Sequence, residues 1–130
     1  MTAVLVDTHV LLWAMTDPVK LTSPAEEKVS DLDTEVLVSA ATAWEISTKV
    51  RIGKLPEAEF LVLDFGDHLR RGDFRTLPIE SADALVSGSL AWAHRDPFDR
   101  IIAAQAIRRG IPLISADRVF DDLGTLQRIW

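Results

Sequence analysis

Short apolar runs and longer helical segments alternate along this chain of 130 residues. The first run, at 3–6, is continuous and partly β-branched, as expected of a strand that is buried on both faces of a parallel sheet. Further strands are predicted at 36–38, 77–79, 111–115 and 126–129. A chain of alternating strands and helices is typical of an α/β protein with a mostly parallel sheet. We therefore predict one α/β domain over residues 1–130.

Two helix starts are marked strongly in the sequence. Ser23 suits an N-cap, with Pro24 in the first helical position and Glu26 as the capping-box partner. A second helix is predicted to begin at Asp96 and to end at Gly110, where a glycine can adopt the left-handed conformation. The remaining helices are predicted at 9–16, 40–51, 57–71, 81–93 and 118–123.

The composition excludes several classes of site. The chain has no cysteine, so disulfides, zinc–thiolate centres and cysteine nucleophiles are excluded. The first apolar run ends at Asp7, and no run approaches the roughly 20 apolar residues of a membrane helix. We expect a cytoplasmic protein that has no membrane partner.

The charge of the chain argues only weakly against a nucleic-acid substrate. The formal net charge of −6 is unfavourable for binding a polyanion. However, ten of the 14 basic residues lie between Lys49 and Arg109. Divalent cations on some of the carboxylates would offset the negative charge further.

Four carboxylates from distant segments are predicted to meet at one edge of the sheet. Asp7 follows the first strand, and Asp117 follows the strand at 111–115. Glu45 lies early in the helix after the second strand, and Asp99 lies in the first turn of its helix. Ligands of parallel sheets bind beyond the carboxyl ends of the strands. Crowded carboxylates repel one another unless a hard cation such as Mg²⁺ or Mn²⁺ binds, so the pattern predicts metal-assisted phosphodiester hydrolysis.

Each carboxylate also has a role that needs no metal. Asp7 and Asp117 suit the N-caps of the helices that follow them. Glu45 precedes Lys49 by four residues, which is the spacing of an ion pair along a helix. An acid at Asp99 is favoured by the helix dipole alone. The predicted location shared by all four is therefore stronger evidence than any one of them.

Two other classes of protein fit part of this pattern. A phosphotransfer receiver domain is also small, acidic and Mg²⁺-binding, but it needs a lysine late in the chain, and none follows Lys54. A non-catalytic α/β protein-interaction module would use the carboxylates only to cap helices. Such a module is the main alternative to an enzyme, and it predicts no affinity for Mn²⁺.

Other polar and aromatic residues have weaker patterns. The histidines do not form a metal-ligand spacing, and the tryptophans are predicted to lie in the core or at an interface. These residues are His9, His68, His94, Trp13, Trp44, Trp92 and Trp130. Arg95 and Arg100 flank the Asp99 segment and are candidate contacts to RNA phosphates.

Several motifs resemble those of the PIN-domain family and, more narrowly, of VapC-type toxins from bacterial toxin–antitoxin pairs. The motifs are LVDTHVLLW at 5–13, AWEI at 43–46, KVRIGKL at 49–55, HRDPFDR at 94–100 and LISADR at 113–118. The resemblance covers nearly the whole chain in order, and the HRDPFDR segment is its most specific part.

This resemblance implies a three-layer α/β/α sandwich around a mostly parallel central sheet, and a Mg²⁺- or Mn²⁺-dependent endoribonuclease. It also implies an RNA substrate, a homodimer and a cognate antitoxin that neutralises the enzyme. The catalytic and metal-binding residues are expected at Asp7, Glu45, Asp99 and Asp117. Supporting residues are expected at Thr8, Asp96 and Ser115, with Asp96 as a helix cap rather than a metal ligand.

The chemistry expected of this site is hydrolysis by an activated water. The carboxylates would hold one or two metal ions that lower the pKa of the water for in-line attack on phosphorus. The products would carry 5′-phosphate and 3′-hydroxyl ends. Replacing Asp7 or Asp99 by asparagine is expected to abolish cleavage and to preserve the fold.

Overall fold

A five-stranded, entirely parallel sheet organises residues 2–130, which are the residues described by the computed structural model. The strands run in the order β3-β2-β1-β4-β5, which places β1 at the centre. Their bounds are β1 Thr2–Val6, β2 Thr34–Ser39, β3 Phe74–Leu77, β4 Leu113–Ile114 and β5 Arg128–Ile129. The sequence prediction of a parallel α/β sheet is confirmed.

Helices connect successive strands and cover both faces of the sheet. They are α1 Thr8–Thr16, α2 Ser23–Ser30, α3 Ala40–Arg51, α4 Glu59–Leu63, α5 Phe65–Arg71, α6 Ser81–Ser89 and α7 Pro97–Arg109. Single 3-10 turns occur at Pro18–Lys20, Pro56–Ala58 and Arg118–Asp122. Within residues 2–130, the helices are all too short or too polar to cross a bilayer.

The alternation of side chains along β1 divides the core into two layers. Val4 and Val6 belong to one buried cluster, which includes Leu11 of α1. Leu5 points to the opposite face and belongs to a second cluster, with Ile102 of α7 and other residues. Since successive side chains of a strand point to opposite faces, the two clusters lie on the two sides of the sheet. This is the predicted three-layer α/β/α arrangement.

Some of the predicted helix boundaries agree with the structure, and others do not. Helix α3 spans the predicted residues, and α7 has Asp96 as its N-cap and Gly110 in the left-handed conformation with φ of 61°. The prediction of Ser23 as N-cap of α2 is wrong, because Ser23 is already helical and the Thr22 hydroxyl accepts the capping hydrogen bond. The predicted helix at 57–71 is interrupted at Asp64, and Asp64 and Gly66 both have low helix propensity.

The predicted boundaries around β3 and α6 are also wrong. Strand β3 ends at Leu77 instead of beginning there, since Pro78 has no N–H group to donate to the ladder. Helix α6 ends at Ser89 and not at residue 93. The carbonyl oxygens of the segment that follows α6 accept hydrogen bonds from the Arg100 side chain instead. Strands β4 and β5 are each two residues long, shorter than predicted.

Candidate active site

A cleft of about 410 Å³ lies at the carboxyl ends of β1 and β4. All four carboxylates that were predicted to converge line this cleft, together with Asp96. Among its described lining residues, five are carboxylates and one is a lysine, Lys49. The remaining lining residues are Thr8, His9, Trp13 and Ala116. The convergence of carboxylates that was predicted from the topology of a parallel sheet is therefore present in the structure.

Asp7 combines a structural and a cleft-lining role. Its Oδ1 accepts a hydrogen bond of 2.9 Å from the Val10 N–H and caps α1, and its Oδ2 accepts one from the Ser115 hydroxyl. Only 8% of Asp7 is exposed. Burial raises the pKa of Asp7, and the hydrogen bonds from Ser115 and Val10 oppose this rise only in part.

Glu45 is held from two sides within the cleft. Its Oε1 accepts a hydrogen bond of 2.5 Å from the Thr8 hydroxyl, and its Oε2 lies 2.5 Å from Lys49 Nζ. The predicted pairing of Glu45 with Lys49 is present, but Glu45 is only 4% exposed, so the pair is not a solvated surface contact. Burial lowers the pKa of Lys49, but its hydrogen bond and attraction to Glu45 outweigh this and raise it overall.

Asp99 lies between an imidazole and the other carboxylates. Its Oδ2 is 2.7 Å from His94 Nε2. Burial raises the pKa of Asp99 to about 6; the hydrogen bond to His94 opposes this rise, and the negative charges of Asp96 and Glu45 add to it. Asp96 Oδ1 accepts hydrogen bonds from the N–H groups of Phe98 and Asp99, which confirms its predicted role as a helix cap.

Asp117 occupies the exposed rim of the cleft. Its Oδ1 accepts a hydrogen bond of 3.0 Å from the Val119 N–H and caps the 3-10 turn after β4. Its own N–H donates to the Ser115 hydroxyl at 3.0 Å. Ser115, which is fully buried, therefore connects the backbone of Asp117 to the carboxylate of Asp7.

The donor set of the cleft fits a hard divalent cation. Carboxylate oxygens are the ligands that Mg²⁺ and Mn²⁺ prefer, and one lysine cannot neutralise five carboxylates. Asp96 and Asp117 use only Oδ1 for capping, and their Oδ2 atoms accept no hydrogen bond from residues 2–130. Capping and metal binding are therefore compatible in this site.

The structure corrects the sequence interpretation of the histidines. His94, Asp96 and Asp99 each offer one ligand atom, and these atoms lie within 4.8 Å of one another. His94 is in contact with Asp99 Oδ2 but is not among the residues that line the cleft. His94 lies in the loop before α7, and Asp99 lies in the first turn of that helix. Neither helical nor strand periodicity applies across such a boundary, so the sequence did not show that the two side chains are close.

The two arginines that were predicted to contact phosphates differ in their surroundings. Arg100 donates four hydrogen bonds of 2.8 to 3.0 Å to the carbonyl oxygens of Ser87, Leu90, Trp92 and His94. With four of its five N–H groups engaged, Arg100 fixes the segment between α6 and α7 and is poorly placed to bind a phosphate. Arg95 is exposed beside the Asp99 segment.

Two further cleft residues, His9 and Trp13, were not predicted as site residues. They lie one turn apart on α1, the helix that Asp7 caps. Their spacing of four residues directly after Asp7 was the available signal, since side chains at i and i+4 share a helix face. The apolar character of the LLW segment favoured the core instead.

The PIN-domain family model matches residues 4–126. The chain belongs to the PIN-domain family. A curated relative of this PIN domain is Ribonuclease VapC22 of Mycobacterium tuberculosis, which is 31% identical over 119 residues, or 91% of this chain and 89% of the relative. Ribonuclease VapC16 of the same organism is 39% identical over 54 residues, or 42% of this chain and 38% of the relative. The resemblance inferred from the sequence motifs is confirmed.

Solved structures share the fold of this PIN domain at lower sequence identity. VapBC2 from Rickettsia felis, bound to a DNA fragment from its promoter, has a TM-score of 0.71 and 16% identity, covering 98% of this chain and 97% of that chain. VapBC-1 from nontypeable Haemophilus influenzae has a TM-score of 0.67 and 18% identity, covering 98% and 96%. These structures confirm the predicted PIN-like α/β fold.

Proposed function

We propose that this PIN domain is a divalent-metal-dependent endoribonuclease of the VapC type. The observation that carries the proposal is the convergence of five carboxylates on one cleft of a PIN domain, with a single lysine to offset them. The relative VapC22 is a ribonuclease, and divalent-metal dependence is typical of PIN nucleases.

Asp7, Glu45, Asp99 and Asp117 would hold the metal, which we propose to be Mg²⁺ or Mn²⁺. When bound, such an ion supplies Lewis-acid activation of the attacking water and offsets the charge that develops on the leaving 3′-oxygen. Asp96 remains the cap of α7 and adds negative charge at the rim.

The chain itself keeps three of these carboxylates in fixed orientations. Ser115 holds Asp7 Oδ2, Lys49 holds Glu45 Oε2 and His94 contacts Asp99 Oδ2. Thr8 adds a second contact to Glu45. Partners of this kind orient metal ligands before the metal arrives and so reduce the cost of organising the site.

The partners that we propose are RNA, a cognate antitoxin and a second copy of the chain, in the cytoplasm. The support for the antitoxin is the similarity to chains of VapBC complexes. The exposed Arg95 is the phosphate contact that we retain. For Arg100 the four carbonyl contacts support a structural role instead.

Cleavage of a structured RNA by the purified protein tests the proposal. Reactions contain Mg²⁺, Mn²⁺ or EDTA, and compare the wild type with Asp7→Asn and Asp99→Asn. Glu57→Gln is the matched control, because Glu57 is an exposed acid outside the cleft. We expect cleavage only with metal, retained in Glu57→Gln and lost in both cleft variants.

Two results would contradict this assignment. Cleavage at the wild-type rate by either cleft variant would show that the carboxylates are not catalytic. The absence of both RNA cleavage and Mn²⁺ binding, measured by calorimetry, would favour the non-catalytic interaction module, in which Asp7, Asp96 and Asp117 serve only as caps.

A further inference from the structure

One wall of the acidic cleft is aromatic. Trp13 and His9 of α1 line the same cavity as the carboxylates, with His9 exposed and Trp13 half-buried. The carboxylates account for a metal ion and a reacting phosphate. Neither the metal ion nor the phosphate requires an indole ring in this polar cleft. The indole of Trp13 offers a flat apolar surface beside the carboxylates.

Two aromatic side chains contact Trp13, but neither stacks face to face on its indole ring. The indole lies 5.8 Å from the His9 ring at an angle of 48°, and 5.8 Å from the Trp130 ring at 44°. Both contacts are tilted, so within residues 2–130 no aromatic ring lies parallel on Trp13. Lys20 Nζ lies 5.9 Å from the centre of the indole. The cleft wall therefore combines an indole and an imidazole, and Lys20 lies over the indole without lining the cleft itself.

We propose that Trp13 and His9 form a nucleobase subsite, which stacks a base of single-stranded RNA next to the scissile phosphate. This inference rests on the ribonuclease function proposed above. A phosphodiester at the carboxylates carries a nucleoside on each side, and Trp13 and His9 line the same cavity within reach of a flanking base. Bases of unpaired RNA stack on aromatic side chains, and a nearby ammonium such as that of Lys20 can contact a neighbouring phosphate.

The subsite would position the RNA rather than read its sequence. Every base has a π-face, so stacking on an indole tolerates all four bases. The ring would fix which phosphate lies over the carboxylates, and it would favour unpaired segments, since a base within a helix is already stacked. This gives the acidic cleft a means of holding a polyanion that does not depend on charge.

Single-turnover cleavage of a short RNA with one mapped site, in Mn²⁺, tests the subsite. The RNA series carries one abasic nucleotide at each position flanking the cut. The proteins are the wild type, Trp13→Ala, Trp13→Phe and His9→Ala. Trp44→Ala is the matched control, because Trp44 is 55% exposed, packs edge-on against Phe98 and does not line the cleft.

We expect Trp13→Ala to raise the half-saturating protein concentration by roughly 5- to 150-fold, the range for loss of one stacked base. Trp13→Phe should recover most of this loss, and His9→Ala should show a smaller one. One abasic position should reproduce the loss in the wild type and add nothing in Trp13→Ala. Thermal unfolding of each variant, and the exposed position of His9, separate this effect from misfolding.

Several outcomes would overturn the inference. If every abasic position costs the same in the wild type and in Trp13→Ala, the ribonuclease function stands and the subsite does not. If Trp13→Ala and Trp44→Ala lose activity equally and also lose mass in sedimentation, both indoles belong to a protein interface. If the wild type neither binds nor cleaves RNA, the proposed function fails and the subsite with it.

Discussion

The acidic cleft and the contact between α6 and α7 both bury carboxylates, but they neutralise them differently. At the helix contact, Asp83 is fully buried and accepts hydrogen bonds of 2.6 Å from Arg108 and 2.8 Å from Arg109. Burial alone would raise the pKa of Asp83, but the hydrogen bonds from Arg109, the Glu80 N–H and Arg108 outweigh it and hold this pKa well below its ordinary value.

In the cleft, the effect of burial on the carboxylate pKa values outweighs that of the hydrogen bonds. Burial raises the pKa values of Asp7 and Asp99, and the hydrogen bonds from Ser115 and His94 do not compensate. The protein supplies the cations for Asp83 from its own helix α7, whereas it leaves most of the cleft charge without a partner. A carboxylate that the fold neutralises supports stability, and one that it leaves unneutralised is available to an external cation.

The largest expected effect is on catalytic activity, which should depend on the cleft carboxylates and not on the carboxylate between α6 and α7. Asp99→Asn should reduce metal-dependent RNA cleavage by roughly 10³-fold, because a metal ligand supports several kcal/mol of transition-state stabilisation. Asp83→Asn should leave the rate per folded molecule unchanged. Initial rates, normalised to the folded fraction, measure both. A comparable loss of rate in the two variants would remove the distinction.

A second prediction concerns the stability that the ion pairs between α6 and α7 provide. Asp83→Ala leaves Arg108 and Arg109 with only the exposed Glu80 as a carboxylate partner, so the free energy of unfolding should fall by about 3 kcal/mol. Urea denaturation measures this loss, with Asp67→Ala as the control, because Asp67 pairs with Arg70 and Arg71 on the surface. A loss for Asp83→Ala as small as that of the control would contradict the prediction.

The two regions should also respond to pH with opposite signs. The pKa of Asp99 is raised to about 6 in the folded state, so its contribution to stability is present below about pH 4 and is lost as pH rises through 6. The pKa of Asp83 is lowered, so its contribution is present above about pH 4 and is lost as pH falls below that value.

Metal-free protein allows this pH dependence to be measured. Between pH 4 and pH 7, Asp99→Asn should gain about 2 kcal/mol of unfolding free energy relative to the wild type, allowing for the partial exposure of Asp99. Added Mn²⁺ should reduce the difference. An advantage of Asp99→Asn that stays constant with pH would mean that the Asp99 carboxylate is not titrating in this range.

The smallest expected effect concerns the segment between α6 and α7. A lysine at position 100 cannot reproduce the four carbonyl contacts of the guanidinium, so Arg100→Lys should lower stability by about 1–2 kcal/mol. Cleavage should fall about tenfold, because the same contacts position His94 against Asp99. Arg95→Lys, at an exposed neighbouring position, is the control for stability. Equal stability of the two variants would assign no structural role to Arg100.

The sequence predicted best what depends on local rules. The cap at Asp96 and the stop at Gly110 are set by neighbouring residues, and α7 has the predicted bounds. The proximity of Asp7 and Asp117 follows from strand direction, because parallel strands end at the same edge, and the helices that begin near that edge bring Glu45 and Asp99 to it.

What the sequence did not predict depends on contacts between distant residues. Arg100 ends the helical path after Ser89 by binding carbonyl groups up to 13 residues away, and helix propensity contains no information about such a partner. The position of Trp13 in the cleft depends on where α1 packs relative to β4 and α7. An apolar residue on a helix face has the same sequence pattern whether that face meets the core or a cleft.

The central position of β1 has a consequence for synthesis of the chain. Strand β1 is made first and pairs with β2 soon afterwards, but its other neighbour is β4, near the end of the chain. During translation, Asp7 and Glu45 are therefore synthesised well before Asp99 and Asp117. Until most of the chain has been made, it therefore holds only two of the four carboxylates that we propose as metal ligands.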